Sequence, residues 1–138
     1  MPGLWVYTSR STNKGETWDL PKCLDAGNDN GPVALAGDEK GSWLLVWQAG
    51  GALGTDSDLF VAGNSNSSWS APALAHPWQN TKALNRNASN DQGYDLSPDV
   101  TWNGTGKWVV VWSSDEAGPS GANWGLDWDI LKIRFTTN

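Results

Sequence analysis

The chain contains one sequence unit twice, and this repeat constrains the fold more than any other feature. Residues 43–47 read Trp-Leu-Leu-Val-Trp, and residues 108–112 read Trp-Val-Val-Val-Trp, 65 positions later (108 − 43). Each copy is followed by a glycine and two alternating aspartates, at residues 54–58 and 125–129. A chain that repeats at a fixed period is built from equivalent structural units, so we expect two units of similar shape.

Short runs rich in β-branched and aromatic residues, bounded by Gly, Asn, Asp and Ser, predict strands. They fall at residues 33–36, 43–48, 59–62 and 69–72 in the first copy, and at 99–102, 108–113 and 130–136 in the second. Residues 4–7 and 17–21 resemble the third and fourth strands of a further unit, because Trp18 and Trp69 each stand three positions before a proline. No stretch has the apolar spacing of a helix, so the sequence predicts an all-β chain.

Four-stranded antiparallel units at a fixed period are typical of β-propeller blades, and closed propellers contain about four to eight blades. The sequence predicts about two blades in a single module over residues 1–138. The blade pieces are residues 1–21, 32–72 and 98–138. Two blades alone would leave strand edges and apolar faces in water. We therefore expect a homo-oligomer, in which a trimer closes a six-bladed ring. Which of the two third-type strands, residues 4–7 or 130–135, is displaced in such a ring stays open.

The composition excludes several partners. The net charge is −6 and the nine Lys and Arg residues are scattered, so we expect no nucleic-acid binding. Apolar runs are far shorter than the roughly 18 residues of a membrane span, and the first residues lack the features of a signal peptide. We expect a soluble chain, with its compartment unassigned. The 11 Trp residues predict either tryptophan-rich packing or a surface that stacks on ligands.

Residues 11–18 carry a recognisable motif. Ser11, Asn13, Gly15, Thr17 and Trp18 closely resemble the Asp-box, S-x-D-x-G-x-T-W, of the sialidase-like BNR-repeat propellers. Asn13 stands where that motif usually has Asp. Physically the motif is a turn device, in which a short side-chain acceptor caps the loop backbone, the glycine allows positive φ and the Trp packs between strands.

The resemblance extends over nearly the whole chain. Residues 84–85, 90–98, 106–112 and 125–130 look like the repeat of bacterial proteins labelled exo-α-sialidase by similarity. The resemblance implies a propeller fold. It carries little about activity, because the Asp-box of that family lies away from the catalytic centre and a fold does not fix a function.

Sialidases of this family use three arginines for the substrate carboxylate, a Tyr nucleophile paired with Glu, and an Asp acid/base. The chain has three arginines, Arg10, Arg86 and Arg134, and two tyrosines, Tyr7 and Tyr94. None of them stands in a matching motif, so we expect a non-catalytic module. A sialidase-like glycosidase assembled at a subunit interface is the alternative, because a trimer would present each Arg three times around its axis.

Acidic residues alternate in loops that contain glycine. They are Asp56 and Asp58 in the first copy, Asp127 and Asp129 in the second, and Asp91 and Asp95 between them. Alternating carboxylates could hold Ca²⁺, which takes six to eight oxygen ligands. The other interpretation is that these side chains cap turn amides. No other cofactor is expected.

One loop predicts a binding site. The loop after Trp112 is six residues longer than the loop after Trp47 (17 − 11), and long loops on rigid β scaffolds are favoured binding places. We expect Trp124 and Trp128 to stack on a sugar ring, with Asn123 and Asp115 bonding its hydroxyls. The competing interpretation is that these side chains pack at an interface between blades. The leading functional hypothesis is thus a propeller module that binds carbohydrate, and its alternative is a structural or protein-interaction module.

Overall fold

The computed structural model describes residues 3–26, 29–50, 56–65, 68–69, 73–74, 93–115 and 128–135. Within these ranges the chain forms ten strands and no helix, which confirms the all-β prediction. The strands are β1 (Val6–Thr8), β2 (Lys22–Asp25), β3 (Asp29–Gly37), β4 (Trp43–Gly50), β5 (Ser57–Ser65), β6 (Ser68–Trp69), β7 (Ala73–Leu74), β8 (Asp95–Trp102), β9 (Trp108–Ser114) and β10 (Asp129–Phe135). None of the described residues belongs to a helix that could span a membrane.

The described strands pair antiparallel in three sheets. The N-terminal hairpin pairs β1 with β2. The first unit has the order β3-β4-β5-β6, with β7 also paired to β5. The second unit has the order β10-β9-β8. Each unit therefore places the strand with the Trp-x-x-x-Trp pattern at the centre of its first three strands.

The two units repeat in register as well as in sequence. Trp43 and Trp108 each pair with the last residue of the preceding strand. The first strand of each unit carries a bulge at nearly the same place, between residues 30 and 33 in β3 and between residues 96 and 99 in β8. A bulge shifts every later side chain of its strand relative to the partner strand. Bulges at matching places therefore keep the side-chain alternation of β3 and β8 in the same register.

The first unit has a hydrophobic core on each of its two faces. Along β4 the side chains alternate, with Leu44 and Val46 in one core and Leu45 and Trp47 in the other. The first core contains Leu44, Val46, Leu59, Val61, Val100, Trp108, Val110 and Trp112. The second contains Val6, Leu45, Trp47, Ala49 and Ala62. The first unit thus lies between the N-terminal hairpin and the second unit.

The same stacking is used at both cores. Val6 on β1 shares a core with Trp47, just as Leu59 on β5 shares a core with Trp112. We call the face that carries Trp47 or Trp112 the front face of its unit, and the opposite face the back face. The front of each unit covers the back of the sheet before it, so the contact between neighbouring sheets is itself a repeated element.

The prediction of a strand at residues 17–21 is wrong. The strand that pairs with β1 begins at Lys22, directly after Pro21. In the same way β7 begins at Ala73, the residue after Pro72 in the sequence. Residues 17–21 therefore precede a strand and do not form one, which fits a proline at position 21, because proline lacks the N–H that a ladder position needs.

Candidate functional site

Two exposed aromatic side chains and a carboxylate lie at one end of the second unit. Asp95 pairs with Ser114, and Ser114 pairs with Asp129. The next row of this sheet consists of Tyr94, Asp115 and Trp128, one from each strand end. We call these three residues the aromatic edge. They lie where the chain enters β8, leaves β9 and enters β10.

Hydrogen bonds fix the middle of the aromatic edge. The Tyr94 backbone N–H donates to Asp115 Oδ1 over 2.6 Å, and the Asp115 N–H donates to the Tyr94 carbonyl over 3.4 Å. Tyr94 is 45% exposed and Trp128 is 51% exposed. A strand-end row that carries one carboxylate and two accessible aromatic side chains suits a ligand with one apolar face and several hydroxyl groups.

The aromatic edge overlaps the predicted ligand site in part. Asp115 and Trp128 are brought to the same edge, whereas the predicted Asn123 and Trp124 lie outside the described residues. The sequence analysis missed Tyr94 as a ligand residue and considered it only as a catalytic group.

The acidic residues predicted for calcium lie mostly at strand starts. Asp56, Asp58 and Asp95 are buried at the start of β5 and β8. Asp129 begins β10, and Asp91 and Asp127 lie outside the described residues. Among the residues with a described position, no group of three His, Cys, Asp or Glu is arranged to hold a metal ion. The calcium site stays a prediction.

Two of these aspartates differ in what they contact. Asp95 Oδ1 accepts the indole N–H of Trp112 over 2.8 Å. Asp56 is 2% exposed, and neither of its carboxylate oxygens accepts a hydrogen bond from the described part of the chain. Capping of turn amides is therefore not seen for Asp56 within that part. It is seen at Asp38, whose Oδ1 accepts the N–H groups of Lys40 and Ser42.

The turn that resembles the Asp-box is closed by its own side chains. Ser11 Oγ accepts the Gly15 N–H over 2.8 Å, and Asn13 Oδ1 accepts the Thr17 N–H over 3.0 Å. Asn13 Nδ2 donates to Thr17 Oγ1, and the Trp18 indole donates to the Gly15 carbonyl. Gly15 has a φ of +91°, which a residue with a Cβ rarely adopts. The motif residues thus stabilise the turn through their own hydrogen bonds.

Trp18 departs from the packed position expected of the motif. Its ring is 64% exposed, although its indole N–H is engaged. Trp47 and Trp112 instead fill the cores between the sheets. Tryptophan packing between sheets therefore comes from the repeated strand pattern, and the turn contributes none of it in this chain.

An open cleft of about 320 Å³ lies between β1 and β3. Its walls include Leu4, Trp5, Tyr7, Asn30 and Val33. Trp5 and Tyr7 stack with ring centroids 6.2 Å apart, and Asn30 Nδ2 donates to the Leu4 carbonyl over 2.8 Å. The cleft is the place where apolar side chains of β1 and β3 meet solvent together.

The residues considered for a sialidase centre lie on different sheets. Tyr7 is on β1 and lines the open cleft, Arg10 follows that strand, and Arg134 is exposed on β10. Arg86 lies outside the described residues. None of the described arginines lines the cleft beside Tyr7. The described geometry offers no support for an arginine triad within one chain.

No family model, curated protein or solved structure matches the chain significantly. The resemblance to the sialidase-like repeat therefore depends on the motif residues themselves.

Proposed function

We propose that the chain is a non-catalytic module of the sialidase-like β-propeller type that binds carbohydrate at the aromatic edge. The observation that carries the proposal is the placement of Tyr94 and Trp128 on either side of Asp115, with both rings about half exposed. Sugar rings present C–H faces that stack on aromatic side chains, and their hydroxyls donate to carboxylates. In the sequence, residues 116–127 connect β9 to β10 and include the predicted Asn123 and Trp124.

The propeller part of the proposal is supported by the stacking of the sheets. Blades of a propeller pack face to face, each on the back of the one before. In this chain the N-terminal hairpin, the first unit and the second unit follow that order. The Ser11–Trp18 turn joins β1 to β2, the hairpin that matches the third and fourth strands of a unit. Three chains together would supply six blades.

A fluorescence titration tests the sugar site, because tryptophan emission responds to a ligand that stacks on an indole. The probes are galactose, glucose, fucose, N-acetylglucosamine and N-acetylneuraminic acid at millimolar concentrations. For a sugar that binds, Trp128→Ala and Tyr94→Ala should each weaken affinity at least about fivefold, since a lost aromatic contact costs ~1 kcal/mol. Trp18→Ala is the matched control, because Trp18 is more exposed than Trp128 and lies in a different turn.

Two outcomes would contradict the proposal. The first is that the folded protein binds none of the probes at millimolar concentration, which would favour the structural or protein-interaction module. The second is that Trp18→Ala weakens binding as much as Trp128→Ala, which would place the site elsewhere. Release of a fluorophore from a synthetic sialoside, lost on Arg134→Ala, would favour the sialidase-like glycosidase instead.

A further inference from the structure

The front faces of the two units have different surroundings although their residues correspond. Leu35 on β3 is 53% exposed, whereas its equivalent Val100 on β8 is 7% exposed. Trp43 is 47% exposed, whereas its equivalent Trp108 is 1% exposed. Val33 is exposed as well, while the proline at its equivalent position in β8 is buried. The same apolar face is therefore covered in the second unit and open in the first.

The residues that pack on the front face of the second unit can be compared with those that pack on the front face of the first. The core that buries Val100 and Trp108 includes Leu44 and Val46, which lie on the back of β4. Among the described residues, the N-terminal hairpin covers the front of the first unit, through Val6 and Leu24. Val6 corresponds to Leu59 of β5, so the hairpin supplies the third-strand part of the cover. Within the described part of the chain no strand takes the place that β4 has in the other core, and the open cleft lies beside β1.

We propose that this open front face, formed by Val33, Leu35 and Trp43, docks the back of the second unit of another copy of this chain. The matching residues are Val109 and Val111 on β9. They occupy the positions of Leu44 and Val46 one repeat later and are only half-buried within one chain. The contact would continue the interface already present between the two units, with β8 and β9 in the roles of β3 and β4.

The back face of β10 carries different side chains from the back face of β5. Ile130 lies opposite Ser113 and is exposed, and Lys132 stands where β5 has Val61. A lysine is poorly suited to a core between sheets. In the open face the third-strand part of the cover is already supplied by β1, which places Val6 at the position of Leu59. The docked copy therefore needs to contribute only β8 and β9, and β10 is the third-type strand that the contact leaves out.

The inference concerns a face distinct from the aromatic edge, so each can fail without the other. The contact is heterologous, meaning that a front face meets a back face, and each chain carries one of each. A charge on either face should block assembly of a single variant. A mixture of a front variant with a back variant retains one intact pair of faces and should stop at two chains.

Light scattering during size-exclusion chromatography tests this arrangement. Leu35→Lys and Val111→Lys should each run at the mass of one chain, and their equimolar mixture should approach two chains as concentration rises, and no more. Leu20→Lys is the matched control, because Leu20 is also an exposed leucine but lies outside the cleft, and it should assemble like the unmodified chain. Circular dichroism checks that each variant is folded, and Val33→Lys replaces Leu35→Lys if the latter does not fold.

A folded, unmodified chain that stays at one-chain mass at micromolar concentration would overturn the inference. Assembly that survives both Leu35→Lys and Val33→Lys would overturn it as well. A mixture of the two variants that assembles beyond two chains would show that the contact is not front to back.

Discussion

Asp38 and Asn103, 65 residues apart, hold two turns of the same shape through the same hydrogen bonds. Asp38 Oδ1 accepts the N–H groups two and four residues later, over 2.8 and 2.9 Å. Asn103 Oδ1 does the same, over 2.9 Å in both cases. In each turn the N–H of the capping residue also donates to the carbonyl four residues later, over 3.0 Å. The repeat therefore extends to the loop that joins the first two strands of each unit.

Asp38→Asn should keep this turn and remove part of the chain's sensitivity to acid. Burial raises the pKa of the Asp38 carboxyl, but the hydrogen bonds from Ser42 and Lys40 together outweigh it, so the net pKa lies below the ordinary value. A lowered folded-state pKa gives stability that is present above the unfolded pKa of about 3.9 and is lost as the pH falls through the folded value. The free energy of unfolding, measured with urea, should therefore fall more steeply below about pH 4 for the unmodified chain than for the variant.

The second repeat supplies the control for this experiment. Asn103→Asp places a carboxylate in the same hydrogen-bonding position, so it should add a dependence on acid of the same sign. Equal pH profiles for the unmodified chain, Asp38→Asn and Asn103→Asp would show that the turn carboxylate does not contribute to acid unfolding.

Gly104→Ala should lower the free energy of unfolding by about 1 kcal/mol, because a residue with a Cβ is strained at positive φ. Gly104 has a φ of +77°, and no atom lies within 4 Å of the place its Cβ would occupy, so the backbone conformation alone causes the loss. The equivalent residue in the first repeat is Glu39, at a φ of +62°. Glu39→Gly should shift stability in the opposite direction. Denaturant titrations measure both, and a loss of stability on Glu39→Gly would contradict the assignment of strain.

Asn13→Ala should destabilise the chain by about 1 kcal/mol, because it removes the acceptor of the Thr17 N–H and the donor to Thr17 Oγ1. Asn13→Asp should be nearly neutral. The carboxylate keeps the first hydrogen bond, and the Thr17 hydroxyl can rotate to donate to the second oxygen. Thermal unfolding of the two variants compares them, and equal losses would mean that Asn13 acts through its size and not through its hydrogen bonds.

Trp112→Phe should cost more stability than Trp47→Phe. The Trp112 indole donates to Asp95, which is fully buried, and loss of a donor to a buried carboxylate costs about 1–3 kcal/mol. The Trp47 indole donates over 3.1 Å to Asp25, which is half-buried, so water can replace part of that hydrogen bond. Both substitutions remove a similar volume from a core. The difference between them in chemical denaturation isolates the hydrogen bond, and a larger loss for Trp47→Phe would contradict it.

The sequence predicted the strands of both units because their β-branched and aromatic runs end at turn residues. In β4 and β9 the side chains that face each core are spaced by two, and the bounding turns contain Gly41 and Gly106 at positive φ. It misplaced the second strand of the N-terminal hairpin, because the W-x-x-P spacing that Trp18 shares with Trp69 matched residues 17–21 to a fourth strand. Trp18 is held in the turn by its indole hydrogen bond, and no composition rule indicates this.

The sequence did not predict Tyr94 as part of the candidate site, for a different reason. The aromatic edge is assembled by the ladder between β8, β9 and β10, which sets Tyr94 beside Asp115 and Trp128 across three strands. The sequence identified Asp115 and Trp128 through the long loop that joins them, but Tyr94 is 21 residues before Asp115. The contrast between Leu35 and Val100 was likewise hidden, since equivalent residues in a repeat are expected to have equivalent burial until the stacking order is known.

The central claim is that repeated units stack front to back and leave one front face open for another copy. The most direct measurement is the solution mass of the unmodified chain by light scattering at micromolar concentration. The account predicts an assembly larger than one chain, at three times the 14.9 kDa chain mass if the ring has six blades. A folded species of 14.9 kDa with no larger form would contradict it.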